Sequence, residues 1–562
     1  GTNLSLSLGS ALGVLRHDGN DHLGTLLARI ADALLDGSRG NSGAIVAQFF
    51  QGVSDSAGEL TRFTPYTFSQ AFAKGSEYAH DALSQPREGT VLTVIAAVSD
   101  TISTHVANAR DGEFPALMSA ALERGRSALE ETTDQLDVLR KAGVVDAGAK
   151  GFVELLRGMT ERIATGRMAD EPDLSVLGAD ASVPVMAGSD EDSEFRYCTE
   201  CIVSGKDINR RKLREALSSL GDSLLLAGTK RKAKIHIHVN DPEDVFDVGR
   251  KYGEVSHEKV DDMHRQAHSS HDRASRFAVI TDSAADIADE DLERLDIHMV
   301  PCRLQFGDRG YLDKVSISAA EFFEELASNP AHPTTSQPAP GDFRRQFQFL
   351  ASHFEDVIAF TVTGAASGTY QAALSAAERI NAPGRIHVID SLNASLGQGQ
   401  LAVFAAECAH AGLSVDKTIE AVNELIPQTN IYGMLRDLRY AVRGGRVPSW
   451  VRTAAQALNI TPFIRATREG RIAPSGFAFG QRNRVRKFAR SLVRKAKGRD
   501  QLNIAIGHAA CPDDADQLEK ILRSELPQIE RLRVTSLGAA LGVHTGPGAM
   551  IVAMQPFTRP PQ

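Results

Sequence analysis

Cysteine is scarce in this chain: five residues in 562, at Cys198, Cys201, Cys302, Cys408 and Cys511. So few thiols exclude a disulfide-stapled framework and fit a reducing compartment, so a cytoplasmic location is expected. Aromatic residues make up only 6% of the chain, with a single tryptophan, Trp450. That is too little for a base-stacking surface. Positive charge is not in excess either: 62 Lys and Arg stand against 71 Asp and Glu, a net charge of −9. The electrostatic footprint of a nucleic-acid partner is therefore missing. No uninterrupted apolar run approaches the roughly 20 residues of a membrane helix, so no transmembrane segment is expected. No signal peptide is evident, and a chain opening on Gly1 rather than Met is expected to have its start upstream. The nucleophile motif G-x-S-x-G is absent as well.

What is present is an ordinary globular composition, 42% hydrophobic and 24% charged, with room for several domains. Residues 1–166 read as all-helical. Apolar residues recur at helical spacing in Leu23-Leu26-Leu27-Ile30-Leu34 and in Phe152-Leu155-Leu156-Met159. Three glycine-rich loops interrupt the pattern: S-R-G-N-S-G (Ser38 to Gly43), P-R-E-G-T (Pro86 to Thr90) and G-V-V-D-A-G-A-K-G (Gly143 to Gly151). Each leads into a helix. Backbone N–H groups at a glycine-rich helix start make a phosphate cradle, although one alone is weak evidence, since glycines also serve tight turns. Three in one helical domain favour a shared anion site.

G-T-N (Gly1 to Asn3), S-R-G-N-S-G, E-G-T-x-L-T (Glu88 to Thr93) and K-A-G-V-V-D-A-G together resemble the nucleotide-binding domain of the dihydroxyacetone-kinase family. The nearer match is the version at the N-terminus of bacterial fatty acid kinase. The resemblance implies a helical barrel that binds ATP and Mg2+. It assigns nucleotide contacts to Thr2, Asn3, Gly40, Asn41, Ser42, Gly43, Gly89, Thr90, Asp146 and Gly148. The family's magnesium aspartates belong to a D-G-D-T-G-T-N stretch, so those ligands are expected upstream of Gly1.

Residues 167–191 read as a linker. Residues 192–265 alternate as βαββαβ, the ferredoxin-like α+β pattern. Here I-H-I-H-V places His236 and His238 two apart on a strand, hence on one face. Y-C-T-E-C supplies Cys198 and Cys201. Two thiols and two imidazoles suit tetrahedral zinc, although strand histidines facing solvent and cysteines packed as small core residues are the plainer alternative. The middle domain of fatty acid kinase is similar in its Y-C-T-E and H-x-H elements. The resemblance implies a zinc site of Cys198, His236 and His238, and leaves Cys201 open. This domain is expected to join the two halves and to mediate a homodimer. The histidine-bearing stretch after it reads as a second linker.

Residues 275–560 read as α/β. Short apolar runs at Phe277–Ile280, Ile297–Pro301, Val357–Val362, Ile386–Ile389 and Ile504–Ile506 alternate with helical stretches. Parallel sheets covered on both faces are expected, with a ligand beyond the strand ends. Three loops of small or hydroxylated residues stand out: P-T-T-S-Q-P (Pro333 to Pro338), S-G-T-Y-Q (Ser367 to Gln371) and H-T-G-P-G (His544 to Gly548). Prolines on both sides of the first disfavour helix and should hold its hydroxyls in a loop.

V-I-T-D-S-A-A-D, F-G-D-R-G-Y-L-D, P-T-T-S-Q-P-A-P-G, S-G-T-Y-Q-A-A, V-I-D-S, R-G-G-R-V and H-T-G-P-G occur here in order. They resemble the DegV family of fatty-acid-binding proteins over nearly this whole half. The resemblance implies a two-lobed α/β domain holding one long-chain fatty acid in an apolar tunnel. Thr335, Ser367, His544 and Arg446 would hold the carboxylate.

The expected function is thus a natural fusion: the DegV-like half presents a fatty acid and the helical domain phosphorylates its carboxylate with ATP. The alternative is a fatty-acid carrier with an inactive kinase module. A small-ketone kinase ranks last, because no covalent substrate-binding half is present. No catalytic protein nucleophile is expected, since the substrate carboxylate is ionised at neutral pH and can attack phosphorus itself.

Overall fold

The computed structural model describes residues 2–15, 22–38, 40–83, 86–108, 113–166, 194–229, 231–264, 275–380, 384–445, 447, 452–453, 455, 457–480 and 482–560. Its contacts divide it into two compact units, Gly1–His264 and Arg265–Gln562. Both linker readings fall mainly on segments outside the described residues.

In the first unit the helical part comprises α1 (Thr2–Leu15), α2 (Leu23–Gly37), α3 (Gly40–Ala57), α4 (Pro65–His80), α5 (Val91–Asn108), α6 (Phe114–Gln135), α7 (Asp137–Ala142) and α8 (Ala147–Thr165). Starts are set by local chemistry. Thr64 closes a capping box on α4 with Pro65 at its first turn, and Asp146 accepts the Ala149 N–H at the start of α8. From α1 to α6 each helix packs on the next, α6 packs on α8, and α8 returns to α1, which closes a ring. The core is filled by one face of each helix, among them Phe49, Phe72, Ile95, Met118, Phe152 and Leu156.

The middle part carries β1 (Tyr197–Ser204), β2 (Gly221–Gly228), β3 (Lys232–Val239) and β4 (Glu254–Asp262), with helices Arg210–Leu217 and Pro242–Arg250 between them. Sheet order β2-β3-β1-β4, all antiparallel, is the ferredoxin-like arrangement. Alternation separates two faces. Thr199, Cys201 and Val203 are buried on one, while Cys198 and Glu200 lie half-buried on the other. The edge of β2 extends the helical part directly. Leu226 N–H donates to Ala82 O at 3.1 Å, and Leu225 and Ala227 join Leu35 and Ala44 in a common apolar cluster. Arg210 donates to both Gln48 Oε1 (3.1 Å) and Gly228 O (2.6 Å).

In chain order the strands of the second unit are β5 (Phe277–Asp282), β6 (His298–Val300), β7 (Arg303–Phe306), β8 (Arg309–Leu312), β9 (Thr334–Ser336), β10 (Asp356–Thr361), β11 (Ile386–Asp390), β12 (Asn430–Met434), β13 (Ile460–Ala466), β14 (Ile472–Phe479), β15 (Leu502–His508), β16 (Ile529–Ser536) and β17 (Met550–Pro556). One sheet, β11-β10-β5-β6, is wholly parallel. Another, β14-β13-β12-β17-β15-β16, is mixed, with only β15 and β16 parallel. The expectation of parallel sheets throughout is therefore corrected. A tight turn at Thr467–Arg471, with Gly470 at φ +72°, folds β14 back on β13, and β17 runs antiparallel to both its neighbours.

A second correction concerns P-T-T-S-Q-P. Thr334–Ser336 is a short strand, pairing with β7 in the three-stranded sheet β8-β7-β9. The flanking prolines delimit it, since a strand edge tolerates them where a helix does not. Thr335 and Ser336 both line the cavity described below, and Thr334 does not, so the three hydroxyls do not act as one cluster.

Beneath the strand ends lies a buried polar network. Asp282 accepts N–H bonds from Ala284 (3.0 Å) and Val362 (2.8 Å). Asp286 accepts from Lys314 Nζ (3.0 Å), Gly538 N (2.8 Å) and Ser395 Oγ (2.6 Å). Asp313 accepts from Ser283 Oγ (2.7 Å) and Ala539 N (3.0 Å). Burial pushes Asp282 up to about 6, against the pull of its backbone donors. Replacing Asp286 by Ala should destabilise the second unit by about 3 kcal/mol or more, because the Lys314 ammonium and two further donors lose their acceptor; urea unfolding measures this. The Asp282 shift has a definite sign. Its contribution is fully present below the unfolded value near 3.8 and is lost as pH rises through about 6. Wild type should therefore lose stability relative to Asp282→Asn across that window, and a parallel pair of stability curves would contradict it.

Candidate functional site

The second unit encloses a cavity of about 540 Å³ between its sheets, beyond the carboxyl ends of β10 and β11. Most of its wall is aliphatic, with Val362, Ile431, Leu435, Ile464, Leu541 and Ile551 among the contributors. Its polar groups include Thr335 and His544, which form a hydrogen bond between Thr335 Oγ1 and His544 Nε2 at 3.0 Å, with either group able to donate. His544 lies in the last turn of the helix Ala539–Thr545, not in a loop as the H-T-G-P-G reading has it. That helix is docked by the Asp286 and Asp313 carboxylates at its start. Gly444 leaves room for the ring: a Cβ there would stand 2.2 Å from His544 Nδ1.

Ser367 also lines the cavity. Its Oγ lies 2.8 Å from Thr369 Oγ1 and accepts the Thr369 N–H at 3.3 Å, at the start of the helix Thr369–Ala377. Arg446 lies outside the described residues. Gln337 and Thr369 belong to the lining too, and neither was singled out from the sequence. Their signal was adjacency to hydroxyls already chosen. Gln337 reaches across the glycine of S-G-T, since a Cβ on Gly368 would stand 2.2 Å from Gln337 Oε1.

In the first unit three of the predicted helix starts meet. A Cβ on Gly148, at the start of α8, would stand 2.4 Å from Ser42 Oγ in α3. The Asp146 carboxylate accepts the Ala149 N–H at 2.7 Å and interacts with the backbone N–H groups of Val91, at the start of α5, and Gly148. Burial raises Asp146 from its ordinary value, and these donors oppose the rise. Gly43 packs on α1, where a Cβ would stand 2.5 Å from Ser7 Oγ. Gly40 to Gly43 are not a loop: they form the first turn of α3. The first four N–H groups of a helix have no intrahelical acceptor, so a helix start can serve an anion as a loop would. Gly89 adopts φ +80°, and its N–H donates to Thr93 Oγ1 at 2.9 Å. Thr90 stands just ahead of α5, its hydroxyl accepting the Leu92 N–H at 3.4 Å. Thr2 and Asn3 open α1, and their side chains lie outside the described residues.

The third constellation is on the middle sheet. Register pairs Cys198 with His238 and Glu200 with His236 across β1 and β3. The ligand atoms of Cys198, His236 and His238 lie within 4.8 Å of one another. Cys198 Sγ is 3.8 Å and Glu200 Oε1 3.2 Å from His236 Nδ1, and Asp222 Oδ1 is 3.4 Å from His238 Nδ1. Glu200 is in turn bound by Lys259 at 2.9 Å. Burial opposes charge on His236, but the Cys198 sulfur and the Glu200 carboxylate prevail and push it up to about 10. Burial likewise opposes charge on Glu200, and His236 with Lys259 holds it below the usual carboxylate range. A thiolate and two imidazoles, braced by carboxylates, fit zinc. Cys201 pairs with Ile235 on the opposite face and is fully buried, its thiol pushed up by burial, so it belongs to the core. Among the described residues this is the one group of three such ligands, and no magnesium ligand is assigned.

Comparison with known proteins places these observations in families. The model of the DegV family, described as uncharacterised proteins, matches residues 276–556. The chain belongs to the DegV family. A DAK2 domain matches residues 1–161, and a middle domain of the fatty-acid-kinase-like type matches residues 194–270. Protein YloV of Bacillus subtilis is 31% identical over 279 residues, 48% of this chain and 50% of that protein. An uncharacterized protein of Staphylococcus saprophyticus is 32% identical over 277 residues, 47% of this chain and 49% of its own. The chain thus spans about half the length of these curated relatives. Among solved structures, a fatty-acid-binding DegV family protein from Thermus thermophilus is 28% identical with a TM-score of 0.47, covering 50% of this chain and 100% of its own. DegV from Bacillus subtilis, a fatty acid binding protein, is 27% identical with a TM-score of 0.45, covering 50% and 100%.

The purified chain should contain about one equivalent of zinc, the content of a single tetrahedral site. Elemental analysis should show it lost in His236→Ala/His238→Ala and retained in Cys201→Ser. Retention in the double variant would remove this centre.

Proposed function

We propose that the second unit binds a long-chain fatty acid and that the helical part of the first phosphorylates its carboxylate with ATP. The observation that carries the lipid half is the Thr335–His544 pair at the polar part of a cavity whose surface is mostly apolar. A cavity of this size falls in the range of small-molecule sites. Burying the chain contributes about 0.8 kcal/mol per methylene. The carboxylate loses water and needs charge-assisted hydrogen bonds in exchange. Thr335, Ser367 and His544 supply them without a competing negative charge. Arg446 is proposed as a further contact. The DegV family match over this half supports the reading.

The kinase half rests on the converging starts of α3, α5 and α8 and on the DAK2 match. Gly40, Asn41, Ser42, Gly43, Gly89, Thr90, Asp146 and Gly148, with Thr2 and Asn3, are proposed to surround the nucleotide. Magnesium, when bound, would neutralise phosphate charge. In the reaction a carboxylate oxygen bonds to the γ-phosphorus as the bond to the β-phosphate oxygen breaks, giving acyl phosphate and ADP. The protein's part is position and donors, and no side-chain nucleophile is required. Zinc on Cys198, His236 and His238 would serve the middle sheet structurally. A homodimer completes the reading.

With MgATP and oleate, a version of the chain that carries the D-G-D-T-G-T-N aspartates expected upstream of Gly1 should yield acyl phosphate, trapped with hydroxylamine. Thr335→Ala and His544→Ala should each weaken oleate binding by about tenfold or more, the loss of one hydrogen bond to a charged group. Tight oleate binding with no nucleotide affinity would leave a carrier protein in place of a kinase. No oleate binding would overturn the proposal.

A further inference from the structure

Against the lipid-type cavity, sharing Asn393, Arg465 and Ala466 with it, stands a second cavity of about 770 Å³. Its lining has a different character. Arg465, Arg468 and Arg499 contribute three guanidinium groups, and the one carboxylate is Asp500. Among the described residues none of the three arginines takes part in an ion pair or a side-chain hydrogen bond. Nη1 of Arg499 is buried and has no partner at all. A buried guanidinium N–H without an acceptor is costly, so Arg499 Nη1 marks a place for an acceptor, beside the exposed side chains of Arg465 and Arg468.

Further charges stand nearby, the Glu469 carboxylate interacting with Arg468 and more cations on the other side. Arg465 is the cross-strand partner of Tyr432, and Lys495 Nζ sits 5.0 Å over the Tyr432 ring. Burial and the nearby charges of Arg465 and Arg494 disfavour charge on Lys495. This concentration of cations occurs in a chain whose net charge is −9. An excess of two guanidiniums over carboxylates matches a phosphate monoester, which carries about −1.5 to −2 near neutral pH. Guanidinium forks also fit phosphate oxygens two at a time. The cavity is larger than one phosphate needs. Pro427, Pro556 and Phe557 give part of its wall an apolar surface, and Gln428 and Asn430 add amides.

We propose that this cavity binds a small phosphorylated organic molecule, its phosphoryl group on Arg465, Arg468 and Arg499 and its carbon skeleton against Pro427 and Phe557. The site is separate from the position of any fatty-acid carboxylate at Thr335 and His544, and it does not depend on the kinase reading.

The test uses the full chain with phenyl phosphate as the probe, by isothermal titration calorimetry, beside inorganic phosphate. Phenyl phosphate should bind saturably and more tightly than inorganic phosphate. Arg468→Gln/Arg499→Gln, neither of which lines the lipid-type cavity, should weaken it by about tenfold or more, the loss of charge-assisted hydrogen bonds. Oleate binding and the unfolding midpoint of that variant should stay as in wild type. If the double variant is unstable, the exposed Arg468→Glu alone should reduce affinity. No saturable binding, or binding undiminished in the variants, would overturn the site. Equal affinity for inorganic phosphate would overturn its organic half.

Discussion

The second unit depends on carboxylates that have been taken out of water and given partners. Asp286 and Asp313 each accept a backbone N–H from the start of the helix Ala539–Thr545, more than two hundred residues further along the chain. Asp286 also holds Lys314 and Ser395, and both of those residues adopt a left-handed backbone, φ +64° and +54°. A non-glycine residue pays for that conformation, and here the hydrogen bonds it brings are buried. The outcome is a fixed helix whose last turn delivers His544 to the cavity.

Thr335 reaches the same point by a different constraint. Its strand pairs with β7 through Leu304, and that register sets Thr335 Oγ1 against His544 Nε2. Glycines complete the fit by their size. A methyl group at Gly444 would displace the imidazole, and one at Gly368 would displace Gln337. The polar part of the cavity is thus assembled from a helix end, a strand edge and two close backbone approaches.

The first unit links its two chemical features through one strand. His238, His236 and Lys234 lie on the same face of β3, and Lys234 Nζ donates to Ser38 O and Ser38 Oγ at 2.6 and 2.9 Å. Ser38 stands two residues ahead of α3, whose first turn carries Gly40 to Gly43. The imidazole pair and the helix start are therefore joined through a short and partly buried path. Glu200, which sequence spacing alone did not mark, braces the imidazole end of that path through register with His236.

By itself the sequence determined much of this. Helical periodicity, the βαββαβ order, the parallel strands of the first sheet and the I-H-I-H-V face are short-range properties, carried by residues two to four apart, and they read correctly. The motifs of the DegV half named its family before any fold was known. Tertiary structure alone decided what depends on distant partners. It made P-T-T-S-Q-P a strand, because β7 offered an edge to pair with. It put Cys201 in the core and Cys198 beside the imidazoles, because the sheet has one face covered by helices. It gathered Ser42, Val91, Asp146 and Gly148 at one place, because the helix ring brings those starts together. It also opened an arginine-lined cavity that no motif announced, since Arg465, Arg468 and Arg499 become neighbours only when a hairpin and the end of a helix pack side by side.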